Sequence, residues 1–392
     1  MIRAFPPARA VVAVLAGAIL LAACGRDPGP AADDPFPQRP MSRADAAKVD
    51  ASVREVWNGT NRRDLPGLWV GVWDAERGVF VRGYGEAAPG RPATPADHTR
   101  IGDITQSMTA TIVLDQVEAG RFGLDDPLIE IDPKIEIERP AFTRITVRQL
   151  LGMTSGLPDY FDRPDGVALK WSARPSYVFS PDELVNIGTG SGIAAPGTAI
   201  ASGTNFIVLQ QLLVDLTGRT MRELVAETVS RPLGLTETGL PPADATALRR
   251  PAARSVLTEV CAEEIGKIGG TVEPGTDVTD RSASYGQGSG GVNSTVGDLG
   301  RWAWGFSGNE LLPESLVDER LDFREIDGSE YGLGIERIGD WVGHRGEMLG
   351  WQALAVRNSR TGTAVALATN SCGVGETLLG LLEAIAPGST GR

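Results

Sequence analysis

Residues 100–110 read Arg-Ile-Gly-Asp-Ile-Thr-Gln-Ser-Met-Thr-Ala, and they open the helix around which the rest of the chain can be arranged. Across residues 105–118 the apolar side chains recur at the three- and four-residue spacing of a helix. Gly120 follows at a place where helices commonly end in a left-handed residue. The pattern therefore predicts a mostly buried helix that begins within this stretch.

Strand patterns lie near both ends of the chain, outside this helix. Two pairs of apolar runs predict β-hairpins, namely residues 68–73 with 79–85 and residues 351–356 with 364–369. Residues 376–386 predict a closing helix. The sequence therefore predicts an α+β fold, in which one antiparallel sheet is built from both chain ends and flanked by helices, with a mainly helical lobe inserted between them.

The N-terminus carries the signals of export and lipid attachment. Arg3 and Arg9 precede an uncharged apolar run at residues 11–23, which predicts a secretion signal because it is shorter than a membrane-spanning helix. Residues 21–25 read Leu-Ala-Ala-Cys-Gly and resemble a bacterial lipobox. Cys24 is therefore predicted to become the lipid-bearing first residue of a membrane-anchored, extracytoplasmic lipoprotein. The alternative is an ordinary cleaved signal without a lipid.

Composition divides the remainder of the chain. Residues rich in Pro, Asp and Gly follow Cys24 and predict a tether. The predicted organisation is a signal peptide at 1–23, a linker at 24–45, one domain at 46–387 with its helical lobe at about 124–290, and a tail at 388–392.

Charge and cysteine content limit the partners of the mature protein. Loss of Arg3 and Arg9 leaves 35 basic and 50 acidic residues, a net charge of −15, which argues against a nucleic-acid partner. Cys261 and Cys372 form an even pair in an oxidising compartment, and a disulfide between them is the simplest expectation. No cofactor and no metal site is predicted, since the two histidines and scattered carboxylates show no ligand spacing.

The stretch at residues 100–110 resembles the start of the active-site helix in the serine β-lactamase and penicillin-binding-protein superfamily, which includes DD-peptidases and class C β-lactamase-like esterases. Those proteins read Arg-Ile-Gly-Ser-x-Thr-Lys-Ser here, with the serine as nucleophile and the lysine keeping it activated. Asp103 replaces the serine and Gln106 replaces the lysine. Landmarks at residues 123–127, 145–151 and 154–157 extend the resemblance over most of the mature chain, so a β-lactamase/transpeptidase-like fold is expected.

Two further motifs of that superfamily can be located. Anchoring on Thr204 places Ala201 and Gly203 where the family has Tyr-x-Asn, so the general-base hydroxyl and the substrate-holding amide are both missing. Residues 343–346 resemble the His-x-Gly motif of an edge strand and retain His344 and Gly346. The resemblance implies an oxyanion hole made by the backbone N–H groups of Asp103 and Glu347, which survive any side-chain replacement.

These replacements predict a degenerate, non-catalytic member of the superfamily. Nucleophilic catalysis needs a hydroxyl or thiol beside a base, and no Ser-x-x-Lys stands anywhere in the chain. The favoured function is binding of a peptidoglycan-like ligand or an envelope protein. The alternative from the same family is an active esterase, D-alanyl-D-alanine carboxypeptidase or β-lactamase with a non-standard site.

Three other hypotheses stay open at the level of sequence. Asp103 and Glu347 could share a small space and act as an acid/base pair. A serine triad rebuilt elsewhere would have to use His98, expected at the surface, or His344. A structural or assembly role would leave the cleft without a function.

Overall fold

The computed structural model describes residues 36–61, 63–308 and 310–391. These residues form one compact body that begins at Phe36. The predicted signal peptide, Cys24 and the first part of the predicted linker lie outside the described residues.

One antiparallel sheet of nine strands runs through this body, in the order β3-β2-β1-β11-β10-β9-β8-β7-β6. A separate pair, β4 with β5, joins the segment before the active-site helix to the helical lobe. The strands are β1 Gly67–Asp74, β2 Gly78–Ala88, β3 Arg91–Pro92, β4 Thr99–Arg100, β5 Asn293–Ser294, β6 Arg324–Ile326, β7 Ser329–Tyr331, β8 Glu336–Ile338, β9 Trp341–Met348, β10 Trp351–Asn358 and β11 Ala364–Thr369.

Helices cover the sheet and fill the sequence between its two halves. They are α1 Arg43–Gly59, α2 Ile104–Glu118, α3 Leu128–Ile131, α4 Ile135–Glu138, α5 Val147–Leu151, α6 Val167–Ala173, α7 Pro181–Thr189, α8 Thr204–Thr217, α9 Met221–Leu224, α10 Glu259–Lys267, α11 Gln287–Gly290, α12 Val296–Phe306, α13 Glu314–Arg320 and α14 Gly375–Ile385. A 3-10 turn at Pro140–Phe142 and a π-helical turn at Val225–Ser230 complete the set.

The predicted hairpins, the helix that begins within residues 100–110 and the closing helix are confirmed. β1 pairs with β2 and β10 with β11, and β1 also pairs with β11, with Trp69 opposite Ala368. Gly120 lies just beyond α2 with a φ of 69°. The two chain ends therefore meet in the middle of the sheet, as the strand patterns at both ends predict.

Alternation along β1 explains why both faces of the sheet are covered. Leu68, Val70 and Val72 face a core formed with α1 and α14. Trp69 and Trp73 belong to the larger core, which includes α2 and α12. Since successive side chains of a strand point to opposite faces, an entirely buried strand needs helices on both sides.

α2, whose start the resemblance assigns to the active site, is a core helix. Twelve of its fifteen residues are buried, and they include polar side chains such as Thr105, Gln106 and Ser107; buried polar groups need hydrogen-bond partners within the protein. Arg320 lies behind it, 1% exposed, and donates to the carbonyl of Ser107 at 2.9 Å and to Oγ1 of Thr111 at 3.0 Å. These contacts fix the position of the residues at the start of α2.

The boundary predicted for the linker is wrong at its C-terminal end. Phe36 is buried against the rings of Trp73 and Trp304, with centroids 5.9 Å away in each case. The N–H of Met41 donates to the carbonyl of Val79 at 2.9 Å, and α1 begins at Arg43. The N–H of Val79 also donates to the carbonyl of Arg39 at 2.8 Å, so this segment is attached to the domain although its composition resembles a tether.

Cys261 of α10 and Cys372, which follows β11, are joined by a disulfide in the structure. The N–H of Cys372 also donates to Sγ of Cys261 at 3.0 Å. This crosslink ties the helical lobe to the end of the central sheet. In the part of the chain that the structure describes, no helix combines the length and the apolar character needed to cross a membrane.

Candidate active site

The cleft lies where the start of α2 meets the end of β9, and it encloses about 370 Å³. Its walls come from residues 201–203, from the segment around Asp327 and from the start of α14. Two glycines allow the backbones to meet. A Cβ at Gly102 would collide with the backbone of Glu347, and a Cβ at Gly346 would collide with the carbonyl of Ile101. The close approach places Asp103 directly against Glu347.

The side chain of Asp103 accepts a hydrogen bond from one of the two backbone N–H groups that the resemblance assigns to the oxyanion hole. Its Oδ2 accepts the backbone N–H of Glu347 at 3.1 Å, and its Oδ1 accepts Nε2 of Gln106 at 3.0 Å. A substrate carbonyl oxygen could reach the Glu347 N–H only by displacing this side chain. The structure thus fills the predicted oxyanion hole from within the molecule.

Burial raises the pKa of Asp103 to about 8, and the nearby charges of Asp159, Glu347 and Glu336 add to the effect. The predicted Asp103–Glu347 pair is therefore only a minor cause of the shift. The Glu347 side chain is exposed and is hydrogen-bonded to Gln352. With a pKa of about 8, Asp103 is mostly protonated at neutral pH, chiefly because the cleft withdraws it from most, but not all, of the surrounding water.

Gln106 lies one helical turn after Asp103 and is only 4% exposed. Besides Asp103, its amide contacts Oγ of Ser289 at 3.2 Å and the hydroxyl of Tyr331 at 3.2 Å. An uncharged amide at this position cannot take a proton from a nucleophile at neutral pH.

The residues at the second motif line the cleft without offering a base. The backbone N–H of Ala201 donates to Oδ2 of Asp327 at 2.9 Å, and that of Gly203 donates to Oδ2 of Asp159 at 2.6 Å. A Cβ at Gly203 would lie 2.6 Å from Oγ of Ser289. The space for a side chain at this position is therefore already taken.

His344, the side chain that the resemblance retains from the third motif, lines the inner part of the cleft and is 2% exposed. Its Nε2 lies 3.0 Å from the hydroxyl of Tyr331, and its Nδ1 lies 2.5 Å from the carbonyl oxygen of Arg345. Burial lowers its pKa. The ring is fully engaged by these two partners.

The expectation that His98 lies at the surface is wrong, since it is 2% exposed. Its Nδ1 donates to the carbonyl of Pro251 at 2.9 Å, and its Nε2 lies 3.1 Å from Oε2 of Glu237. The polar residues around it suggest exposure in the sequence, but Pro251 and Glu237 of the helical lobe cover the His98 ring. Among the hydrogen bonds of the described residues, neither histidine pairs with a serine hydroxyl, so a rebuilt serine triad lacks its base there.

Sequence motifs do not identify several other residues of the cleft. Asp159 follows the landmark at residues 154–157, Ser289 lies in α11, and Tyr331 lies in β7 outside the three motifs. Burial raises the pKa of Asp159 to about 6. The cleft is lined by five carboxylates and one guanidinium, which belong to Asp103, Asp159, Asp327, Glu336, Glu347 and Arg345.

Comparison of the sequence with known proteins agrees with the resemblance of residues 100–110 and the later motifs. The family model described as Beta-lactamase matches residues 46–386. The chain is 27% identical over 328 residues to the D-alanyl-D-alanine-carboxypeptidase/endopeptidase AmpH of Escherichia coli, covering 80% of this chain and 75% of that protein. It is 26% identical over 330 residues to a D-aminopeptidase of Brucella anthropi, covering 80% of this chain and 57% of the relative.

Solved structures agree with the fold. A D-stereospecific amidohydrolase from Streptomyces superimposes with a TM-score of 0.75 at 24% identity, covering 86% of this chain and 98% of that one. A penicillin-binding protein homologue from Pyrococcus abyssi gives a TM-score of 0.66 at 20% identity, with coverage of 86% and 76%. The predicted β-lactamase/transpeptidase-like fold is confirmed.

Proposed function

We propose that this chain, which belongs to the beta-lactamase family, has kept the fold of that family without its acyl-transfer reaction and uses the cleft to bind a ligand of the cell envelope. One observation carries the proposal. The carboxyl group of Asp103 stands at the nucleophile position and accepts the Glu347 N–H that should polarise a substrate.

The chemistry of acyl transfer argues against turnover at this position. A carboxylate that attacked an ester or amide would form an anhydride, and an ionised Asp103 would repel the oxyanion of a tetrahedral intermediate. In its protonated form, Asp103 is not a nucleophile. Neither protonation state supports the family's reaction.

The surrounding side chains do not replace the missing base. Gln106 has no titratable proton, and Ala201 and Gly203 offer no hydroxyl or amide. His344 is held by Tyr331 and by the carbonyl of Arg345. Loss of a nucleophile together with its base commonly costs many powers of ten in rate.

The proposed location rests on the N-terminal sequence. A lipid on Cys24 would attach the domain to a membrane surface, where cell-wall fragments and envelope proteins are the available ligands. Replacement Cys24→Ser is expected to move the protein from the membrane fraction to the soluble fraction. Retention of Cys24→Ser in the membrane fraction would contradict the anchor.

Acylation is the direct test of the missing reaction. Intact-mass measurement after incubation with a penicillin is expected to show the unmodified mass for the wild type and for Asp103→Ala. The variant Asp103→Ser with Gln106→Lys is expected to regain little activity, because Ala201 and Gly203 remain. A mass shift mapped to a cleft side chain of the wild type would overturn the proposal.

Binding is tested separately from catalysis. Muropeptides that occupy the cleft should raise the melting temperature in a saturable way, because a ligand that binds only the folded state stabilises it. The matched variant Gly203→Ala narrows the cleft beside Ser289 and should weaken the response. An unchanged melting temperature at millimolar muropeptide would argue for a structural role instead.

A second candidate function is hydrolysis of peptides that contain D-amino acids. The names of the relatives favour it, since they include a D-alanyl-D-alanine-carboxypeptidase/endopeptidase and D-aminopeptidases. Release of D-alanine from D-alanyl-D-alanine peptides, or of ammonia from D-amino acid amides, would support this candidate if Asp103→Ala abolished it. A rate that did not depend on Asp103 would show that the activity does not use this residue.

A further inference from the structure

Four side chains form an unbroken hydrogen-bonded chain from the cleft to the interior. Asp103 Oδ1 contacts Nε2 of Gln106 at 3.0 Å, Oε1 of Gln106 contacts the hydroxyl of Tyr331 at 3.2 Å, and this hydroxyl contacts Nε2 of His344 at 3.0 Å. The chain ends where Nδ1 of His344 meets the carbonyl oxygen of Arg345 at 2.5 Å. Each link needs one donor and one acceptor, and this requirement limits where protons can lie.

The inner end of the chain has a fixed direction. A carbonyl oxygen only accepts hydrogen bonds, so Nδ1 of His344 carries a proton whatever the state of the other atoms. Nε2 of His344 is then either protonated, which makes the ring a cation, or an acceptor for the hydroxyl of Tyr331. The state of Nε2 therefore sets the direction of every other link.

Only two arrangements satisfy all the links with the same number of protons. In the first, Gln106 donates to an ionised Asp103 and accepts from Tyr331, whose oxygen must then accept a proton from a cationic His344. In the second, the Gln106 amide is rotated by 180°. A protonated Asp103 then donates to Gln106 Oε1, Gln106 Nε2 donates to Tyr331, and Tyr331 donates to a neutral His344.

The rotation keeps every contact of the Gln106 amide, and the hydroxyl groups of Ser289 and Tyr160 can reverse with it. The two ends of an amide are nearly equal in size, so exchanging them moves no neighbouring atom. Ser289, the remaining partner of Gln106, has a hydroxyl that accepts in the first arrangement and donates in the second.

We propose that Gln106 and Tyr331 couple the protonation of Asp103 to the hydrogen bonding of His344, so that the direction of this hydrogen-bonded chain follows the charge on the cleft floor. The two arrangements differ in whether one proton lies on Nε2 of His344 or on Oδ1 of Asp103, and loss of the Asp103 proton to solvent requires the Gln106 orientation of the first. Water in the cleft suffices to exchange it, because Asp103 is partly exposed. The proposal does not depend on which ligand the cleft binds.

The groups that face Asp103 favour the neutral arrangement. They are Asp159 from the loop after α5, Glu347 from β9 and Glu336 from β8, and all of them are acidic. With burial they raise the pKa of Asp103 to about 8, while the hydrogen bond from the Glu347 N–H opposes the rise.

The groups that face His344 come from β8, from β9 and from α13. Glu336, whose Oε1 lies 3.9 Å from Nδ1, favours the cation, whereas Arg345 and Arg320 disfavour it. Burial outweighs the carboxylate and lowers the pKa of His344. Both ends of the chain are therefore expected to be neutral at pH 7, with an anion appearing at Asp103 only above about pH 8.

Ionisation of Asp103 must reverse the middle links. Gln106 then has to donate to the carboxylate and presents Oε1 to Tyr331, so Oε1 competes with Nε2 of His344 for the single hydroxyl proton of Tyr331. The hydrogen bond to His344 is therefore weakened when a distant carboxyl group titrates, although the charge of His344 does not change.

Nitrogen-15 NMR of the imidazole rings tests this coupling in the intact protein. The chain contains two histidines, so His98 provides an internal reference. Between pH 5 and 10, Nε2 of His344 is expected to show a step near pH 8 with Nδ1 still protonated. That step should vanish in Asp103→Asn, which removes the titration, and in Gln106→Leu, which keeps Asp103 but breaks the chain.

The loss of the His344 step can be distinguished from misfolding of the variants. An unchanged His98 signal shows that a variant is folded, and Tyr331→Phe breaks the chain at a second point if Gln106→Leu is unstable. A His344 step that persists in folded Asp103→Asn or Tyr331→Phe would overturn the proposal. So would a neutral His344 that carries its proton on Nε2.

Discussion

Replacing Asp103 by asparagine should make the protein more resistant to alkaline unfolding. Asparagine has nearly the same shape and can still accept the Glu347 N–H and contact Gln106, but it cannot ionise. In the wild type, burial raises the pKa of Asp103 from 3.8 to about 8, so ionisation is much easier in the unfolded chain than in the folded one.

The sign and size of the effect follow from proton linkage. Between pH 3.8 and about 8 the folded state holds a proton that the unfolded state has lost, so the free energy of unfolding falls as the pH rises through this range. One pKa unit corresponds to about 1.4 kcal/mol. Between pH 5 and pH 9 the Asp103 carboxyl should therefore lower the free energy of unfolding by up to about 4 kcal/mol. Asp103→Asn lacks this contribution.

Urea unfolding at pH 5, 7 and 9 measures this loss. The wild type should lose stability toward pH 9 much more steeply than Asp103→Asn, and the exposed carboxylate Asp244 supplies a matched control in Asp244→Asn, which should follow the wild type. If the fall in the free energy of unfolding between pH 5 and pH 9 differed by less than about 1 kcal/mol between the wild type and Asp103→Asn, Asp103 would not be a buried and mostly neutral carboxyl group at pH 7.

Three other substitutions test packing and crosslinking. Gly203→Ala should destabilise the protein by about 1–3 kcal/mol, because its Cβ would lie 2.6 Å from Oγ of Ser289, and adding Ser289→Ala should recover part of the loss in urea unfolding. Replacing Cys261 and Cys372 together by alanine should cost about 2–5 kcal/mol, since the disulfide closes a separation of 111 residues; a melting temperature equal to that of the wild type would contradict this. Phe36→Ala should cost about 3 kcal/mol and speed proteolysis at the N-terminal edge of the domain, whereas unchanged protease resistance would show that the segment is a free tether.

The long elements could be predicted from sequence because their periodicity is local. The hairpin of β1 with β2 needs only alternation and a glycine-containing loop, and α2 needs only its apolar spacing. A single sheet built from both chain ends follows from strands that stand at opposite ends of the chain with helices between them, and the structure shows that β1 and β11 are the strands that join its two halves. Many residues contribute to each of these patterns, so a few atypical residues do not obscure the prediction.

The interior of the cleft could not be predicted in the same way. Ser289 and Asp159 come from a short helix and a loop that show no periodic pattern, and only tertiary packing brings them to Gly203. The occupation of the Glu347 N–H by Asp103 depends on two backbones approaching closely. Phe36 shows a different failure of sequence analysis. Its ring is buried against Trp73, although the composition of the segment that contains it predicts a linker.

The strand order has a consequence for how the chain acquires its structure. β11, formed by nearly the last residues of the domain, lies between β1 and β10. The hairpin of β1 and β2 therefore cannot pair with β11 until almost the whole polypeptide is available. Cys372 likewise becomes available for its disulfide with Cys261 only near the end of the chain. Such long-range pairing slows folding. The chain should thus stay unfolded along most of its length until these residues are available, and removing residues after Asn358 should abolish the whole domain rather than trim one edge.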